Sequence, residues 1–385
     1  MTHGPVSGRP EIADIVRAHR AELEARQRLS GAQKRVLTDI AQCRTETLGG
    51  HQENCTACGY ERVVYLSCRN RHCPKCQGLV QEQWIEEQRE RTLNVKHFHV
   101  VFTLPAELRP LAAFAQRVVY GLLFQVVGRV LLEFGYQNLK ATLGATLVLH
   151  TWTRELEYHP HLHAIVTAGG LSQDNKRFIP SPSKFLFPVK ALGKVFRAQM
   201  IQGLWTAYRA GGFSGFSAFD DPEGFERLIK HLPRKSWYTY SKPSFGKGEH
   251  VLQYLGRYTH RVGLSNNRLI DVTDEAITFR TRGSNTVTLS PTEFLRRFVQ
   301  HVLPAGFHKI RHVGLNASKE RRRLAEALLA SPPLPAKVRS WQQHLLEVNG
   351  HDVRACPHCK VALTLIPLQA IRRCRAPPVT LERAA

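Results

Sequence analysis

Apolar side chains recur at helical spacing near the start of the chain and at alternate positions further on, and the change of period marks out its elements. Residues 11–42 read as two helices. The stretch "EIADIVRAHRAELEARQ" carries an apolar stripe, and "SGAQKRVLTDIAQC" follows with Ser30 placed to cap it. From 43 to 76 the periodicity is lost and Cys, His and Gly take over. "GLVQEQWIEEQRERTL" (78–93) resumes as a charged helix, "KHFHVVFTLP" (96–105) reads as a strand, and a long helix is expected over roughly 106–136. "TLGATLVLHTW" (142–152) and "HLHAIVTAG" (161–169) read as strands, followed by a loop over "QDNKRFIPSPSKF". Next come a helix at 189–210, a short strand at 236–242, an amphipathic helix "GEHVLQYLGRYTHRVG" (248–263) and hairpin strands around 268–289. "KERRRLAEALL" is helical again and "SPPLPAK" reads as a linker.

The chain has 385 residues, enough for two or three domains with a substantial core. Its formal net charge of +23 changes the picture, because self-repulsion on that scale points to a polyanionic partner, most often nucleic acid. A basic membrane-surface protein is the rival, but no lipidation pattern or spanning apolar run supports it. The most apolar helix, "VVYGLLFQVVGRVLLEF" (118–134), is interrupted by Gln125 and Arg129 and reads as a core helix. The first residues lack a secretory pattern, so a cytoplasmic, reducing compartment is expected. There the nine cysteines should be thiols or metal thiolates.

"CTACGYERVVYLSCRNRHCPKC" supplies Cys55 and Cys58, then Cys73 and Cys76. Each CxxC is a knuckle that aims two thiolates at one point, and two knuckles complete a structural, tetrahedral Zn2+ site. A redox dithiol is the alternative, and it leaves the second pair unexplained. Cys43, His51, Cys68 and His72 are further candidate ligands; eight would suit two zinc ions, and spacing alone does not partition them. Arg62, Arg69, Arg71, Lys75 and Tyr65, interleaved among the cysteines, make a candidate DNA contact surface. The later "CPHC" (356–359) is half a site, which Cys374 and His351 could complete, or a free pair of thiols.

In "EYHPHLHAIVTAGGLS" (157–172), His159, His161 and His163 occupy every second position of a strand and so share one face. Two readings compete: ring nitrogens converging on a cation, or hydrogen-bonded imidazoles on a half-buried surface. Downstream, Tyr254 and Tyr258 stand four residues apart, neighbours on one helix face. A phenol with a pKa of about 10 needs help to act as a nucleophile. Arg257, Arg261, His260 and Lys247 could supply it or clamp phosphates. The plainer alternative is core packing of both rings.

The ordered blocks "LGGHQENCTACGYERVVYLSCRNRHCPKCQ", "FHVVFTLP", "HPHLHAIVTAGGLS", "YLGRYTHRVGLSNNRL" and "FLRRFVQHVLPAGFHKIRH" resemble the two-tyrosine, rolling-circle HUH transposases of the insertion sequence ninety-one family. They cover most of residues 40–312. The resemblance implies an α+β fold. It has an HUH endonuclease-type, mainly antiparallel sheet with flanking helices, preceded by a helical and zinc-binding N-terminal module. The histidine strand would lie centrally and the tyrosine helix would pack across the sheet. It also implies His161 and His163 as ligands of a catalytic Mg2+ or Mn2+, with Tyr254 and Tyr258 as nucleophiles. Imidazoles suit Mn2+ or Zn2+ better than Mg2+, so a third, oxygen-bearing ligand would help; Gln253 and His159 are the candidates. The expected organisation is a helical segment (1–42), a zinc module (43–78), a catalytic domain (79–304) and a basic C-terminal region (305–385).

The function that follows is cleavage and rejoining of single-stranded DNA at transposon ends through 5′-phosphotyrosine intermediates. Arg257, Arg261, Lys247, Arg69 and Arg71 are the expected DNA contacts, and Trp152, Trp237, Tyr238 and Tyr240 could stack on bases, although core packing is the commoner fate of each. The rivals are a non-catalytic zinc-dependent DNA-binding protein, an HUH replication initiator, and a tyrosine recombinase acting on duplex DNA without metal.

Overall fold

In a computed structural model the strands read at 142–152 and 161–169 become two long antiparallel neighbours, β4 (Ala141–Trp152) and β5 (Tyr158–Ser172). The structure describes residues 9–370 apart from 90, 182–185, 222, 248–249, 253–255, 257–262, 331–339 and 351. Two compact units divide the chain: Gln81–Gly263 with Leu303–Ala336, and Met1–Val80 with Leu264–Val302 and Lys337–Ala385. These boundaries interleave the two ends of the chain, whereas the sequence reading laid its segments end to end.

In the first of these units the sheet runs β11-β4-β5-β3-β7, with β3 at Lys96–Thr103, β7 at Thr239–Lys247 and β11 at Ile310–Gly314. All the pairings are antiparallel, and the short β6 (Phe178–Pro180) adds to the far end of β5. The histidine strand is therefore the middle one of five, as the resemblance implied. Strand period two sorts the side chains cleanly. Phe98, Val100 and Phe102 of β3, Leu143, Ala145, Leu147 and Leu149 of β4, and Leu162, Ala164 and Val166 of β5 are buried in one core. Over them lie α4 (Arg109–Phe114), through Leu111 and Ala112, α5 (Gln116–Leu139), through Val119, Leu123, Val127 and Leu131, and α6 (Val189–Arg209), through Leu192, Phe196, Met200 and Leu204. Each such side chain contributes roughly 1.5–3 kcal/mol by leaving water. Among the described residues α5 is the helix long and apolar enough to cross a membrane, and here it covers a sheet.

The intervening residues form the opposite face. It carries His97, His99 and Val101 on β3, Thr146, Val148 and His150 on β4, and His161, His163 and Ile165 on β5. One face is packed by helices and the other keeps polar groups, so the core pins the register that displays the histidines.

The other unit begins with α1 (Ile12–Arg26) and α2 (Gly31–Gln42). Ser30 caps α2 as expected: its hydroxyl accepts from Gln33 N at 3.2 Å, and the Gln33 side chain accepts from Ser30 N at 2.9 Å. A meander of β8 (Leu269–Val272), β9 (Ile277–Arg280) and β10 (Thr286–Leu289) leads to a helix at Pro291–Gln300, and Phe279 meets Phe294 edge-on. Gln33 Nε2 donates to Val299 O at 3.0 Å, tying that helix to α2. A second small sheet joins distant segments: β1 (Gly50–Asn54) pairs with β2 (Glu61–Tyr65) on one side and with β12 (Thr364–Leu368) on the other.

Candidate active site

β4 and β5 register so that His150 faces His161 and Val148 faces His163. His161 and His163 are two apart on β5, and the third imidazole comes from the neighbouring strand. The ring nitrogens of His150, His161 and His163 lie within 4.8 Å of one another. His161 Nε2 and His163 Nε2 are 3.1 Å apart. Cis donors on an octahedral cation with ligand distances of about 2.1 Å stand about 3 Å apart. The spacing fits a shared divalent ion.

Protonation fits as well. His161 Nδ1 donates to the His159 carbonyl oxygen at 2.7 Å, which leaves Nε2 as a bare lone pair. His163 Nδ1 is 2.8 Å from His99 Nε2; donation from Nδ1 makes Nε2 the unprotonated nitrogen of His163. In that tautomeric state two lone pairs face each other, and a cation between them relieves the repulsion. Burial pushes His161 down to about 4 and His163 well below the usual imidazole range, so both rings are neutral, as ligation requires. His99 is also pushed down to about 4, by burial first and then by the charge of Lys242. Three imidazoles favour Mn2+ over Mg2+.

His159, one of two expected candidates for the third ligand, stands apart from this trio. Its Nδ1 accepts from Arg109 Nη2 at 2.8 Å. Gln253, the other, lies outside the described residues, as do Tyr254, Tyr258, Arg257, His260 and Arg261. Val251, three residues before Tyr254, is described and buried. It packs against Val148 and Ile165, on the histidine face of the sheet, together with Trp84 and Ile310. Gly256 approaches Ile85 of α3 (Gln77–Arg89) so closely that a side chain there would overlap it.

Along the edge strand β7, Tyr240 lies opposite Val101 and Lys242 opposite His99, so both share the histidine face. The Lys242 ammonium sits over the Tyr240 ring, 5.4 Å from its centroid. Tyr238 and Tyr240 are exposed (69% and 44%), which departs from the usual fate of aromatics. Trp237 is half-buried and donates its ring N–H to Leu232 O at 2.9 Å; Trp152 stacks on His150 at 4.6 Å. Lys247 ends β7 opposite Lys96, and its side chain lies outside the described residues.

The cysteines assemble differently from the expected set. Cys55 and Cys58 do not meet Cys73 and Cys76. Cys43, Cys68, Cys73 and Cys76 form one cluster, and Cys55, Cys58, Cys356 and Cys359 form another, with ligating atoms in each within 4.8 Å. The first knuckle is the turn of the β1–β2 hairpin, and strand β2 separates it from the second, so each finds its complement elsewhere. In the first cluster Cys76 Sγ is 3.6 Å from Cys43 Sγ and 3.7 Å from Cys68 Sγ. Thiolates about 2.3 Å from a tetrahedral Zn2+ would stand about 3.8 Å apart. Hydrogen bonding from Cys43 holds Cys76 far below the usual thiol range, while Cys43 and its neighbours push Cys68 and Cys73 far above it. Four such sulfurs ionise together when a cation neutralises them.

The two histidines considered with the cysteines are engaged elsewhere. His51 Nε2 is 3.3 Å from Glu53 Oε1, and His72 Nδ1 is 3.1 Å from Asn70 Oδ1. Arg69 is exposed, whereas Arg71 is half-buried, and burial pulls its guanidinium below its ordinary value. Sequence reasoning missed His150 and the place of Cys356 and Cys359. His150 sits at an alternate position of "LVLHTW", one strand away from the histidine row, and that was the available hint.

The chain matches the family described as "Transposase zinc-binding domain" over residues 15–104 and the family described as "Putative transposase" over residues 144–323. It is 40% identical over 369 residues, 91% of this chain and 93% of the other, to "Putative transposase y4qJ" of Sinorhizobium fredii. It is 29% identical over 291 residues, 74% of this chain and 70% of the other, to "Transposase for insertion sequence element IS801" of Pseudomonas savastanoi pv. phaseolicola. No solved structure matches the chain significantly.

Proposed function

Because this chain belongs to the transposase family of IS91-type insertion sequences, we propose that it cleaves and rejoins single-stranded DNA at the ends of its element through 5′-phosphotyrosine links. The observation that carries the reading is the convergence of His150, His161 and His163 on one point, with Val251 seated on the same face three residues before Tyr254. A divalent cation held by the three imidazoles would polarise the scissile phosphate and offset charge on the leaving 3′ oxygen. His99 and the His159 carbonyl hold His163 and His161 in the tautomers that offer Nε2.

Tyr254 and Tyr258 act as the nucleophiles. Attack of a phenolate oxygen on phosphorus forms the Tyr–phosphate bond and breaks the bond to the 3′ oxygen, which departs as a 3′-hydroxyl once protonated. The ester conserves the bond energy, so a later 3′-hydroxyl reverses the step and joins strands without a nucleotide cofactor. Two tyrosines allow a cleavage at each end before either link is resolved. Arg257, Arg261 and Lys247 contact phosphates near the nucleophiles, and Arg69 and Arg71 of the cysteine-rich segment are further DNA contacts. A single strand is the substrate because its bases are free to stack, and the exposed Tyr240 and Tyr238 with Lys242 offer a basic, aromatic edge on or beside the histidine face. Cys43, Cys68, Cys73 and Cys76 hold a structural Zn2+.

The test is incubation of the full chain with labelled single strands of its own element ends and Mn2+, followed by a denaturing gel and mass spectrometry. A covalent adduct on Tyr254 or Tyr258 that disappears with excess chelator is the expected result. Adducts that persist in chelator, or that form on duplex DNA alone, would overturn the mechanism.

A further inference from the structure

We propose that Cys55, Cys58, Cys356 and Cys359 form a second structural Zn2+ site, which clasps the C-terminal segment to the N-terminal cysteine-rich segment as a zinc ribbon. Cys356 and Cys359 lie beyond both family matches, and the site shares no residue with the histidine centre and does not depend on its function.

The sulfur spacing is the first support. Cys55 Sγ and Cys359 Sγ are 3.3 Å apart, and Cys58 Sγ and Cys356 Sγ are 3.5 Å apart, close to the S–S separation of about 3.8 Å around a tetrahedral zinc. The second support is the backbone. In "CTACGY", Cys55 N donates to Tyr60 O at 2.8 Å and Gly59 N donates to Cys55 O at 3.0 Å. In "CPHCKV", Cys356 N donates to Val361 O at 2.8 Å and Lys360 N donates to Cys356 O at 2.9 Å. The residue after each second cysteine is left-handed, Gly59 at φ 69° and Lys360 at φ 66°. Two segments about 300 residues apart in sequence thus fold into the same knuckle and present their thiols to each other. Lys360 adopts a conformation that disfavours a side chain, a strain that a metal-bound knuckle would hold in place.

The third support is what else holds β12 in position. It pairs with β1 from Gly50↔Leu368 to Asn54↔Thr364, yet four of its five residues are exposed, Leu365 at 55% and Ile366 at 45%. Apolar burial gives this strand little support, and a small three-stranded sheet with an open face commonly needs a staple. Backbone approach is tight at Gly49 (φ 70°), where a Cβ would come within 2.9 Å of Leu368 O and Ala370 N. The polypeptide is shaped to let the C-terminal strand lie there, and four thiolates on one cation would fix it.

The test is zinc content and thiol protection in the full chain, purified and desalted against a weak chelator. Two zinc ions per chain are expected, falling to one in the Cys356→Ser/Cys359→Ser variant. One zinc in the native chain, or two in the variant, overturns the proposal. A second measurement needs no variant: alkylation of the native chain in the presence of a phosphine reductant, read by peptide mass spectrometry. Cys58 and Cys359 are exposed, so bare thiols would react at once. Protection of all four until zinc is stripped supports the site; rapid labelling of Cys359 in the zinc-loaded chain overturns it. Iron in place of zinc, seen as visible absorbance, overturns the identity of the metal.

Discussion

The rings of His99 and His163 lie parallel, their planes 2° apart and centroids at 5.0 Å, and His99 Nε2 lies 2.8 Å from His163 Nδ1. The orientation of His163, a proposed ligand, is thus set by a second imidazole on the neighbouring strand. His99→Phe keeps an aromatic ring there and removes the nitrogen. Outer hydrogen bonds of this kind are worth about 10–100-fold in metal affinity. The variant should need at least about tenfold more Mn2+ for half-maximal cleavage and recover at high Mn2+, measured by cation titration. An unchanged titration curve would show that His99 is only packing.

His163→Ala and His150→Ala remove proposed ligands directly. Each should abolish or severely reduce cleavage while single-strand binding, followed by fluorescence anisotropy, stays within about twofold of the parent, because affinity comes mainly from basic groups. Normal cleavage by His150→Ala would leave the third ligand position to another residue.

Tyr254→Phe and Tyr258→Phe should each block a complete strand-transfer cycle, although one of them can still nick. The assay is a two-ended substrate with product mapping. Wild-type joining by both single variants would end the paired-nucleophile idea.

Two buried imidazoles away from the proposed ligands make stability depend on pH. Burial pushes His97 down to about 4, and burial, with the charges of Arg91 and Arg322, does the same to His312. An unfolded imidazole titrates near 6.5. Between about 6.5 and 4 the unfolded chain holds more protons than the folded one, so stability must fall as pH drops through that window and level off below it. Fully buried His97 accounts for on the order of 3 kcal/mol across the window, and the less buried His312 for less. Urea denaturation at pH 7, 6 and 5 should show the decline, and His97→Gln should make it shallower. Equal slopes in parent and variant would contradict the assignment.

Gly314 ends β11 at φ 60°, and a methyl group there would overlap the Leu143 carbonyl oxygen. Gly314→Ala should therefore destabilise the chain by at least about 2 kcal/mol, seen as a lower denaturation midpoint. An unchanged midpoint would mean that the strand end yields freely.

Much of the fold was legible because it is local. Period-two alternation placed His161 and His163 on one face and Leu162 on the other, and the core under β5 is built that way. Ser30 announced its own helix, and the apolar run around Val126 became the helix beneath the sheet. The third imidazole was not legible in the same way. Nothing within "LVLHTW" says that β4 pairs with β5 in the register that sets His150 against His161.

The linear order of residues alone determined the two-residue step of the histidines, the knuckle shape of each CxxC and the basic character of the chain, since each follows from neighbouring backbone geometry or from composition. Tertiary structure decided which knuckle meets which. Cys58 and Cys73 are close in sequence, but Cys58 sits in the turn of the β1–β2 hairpin and joins Cys356, while Cys73, beyond β2, joins Cys43. Long-range pairing of this kind depends on how strands stack and chain ends return, and no short window of sequence records it.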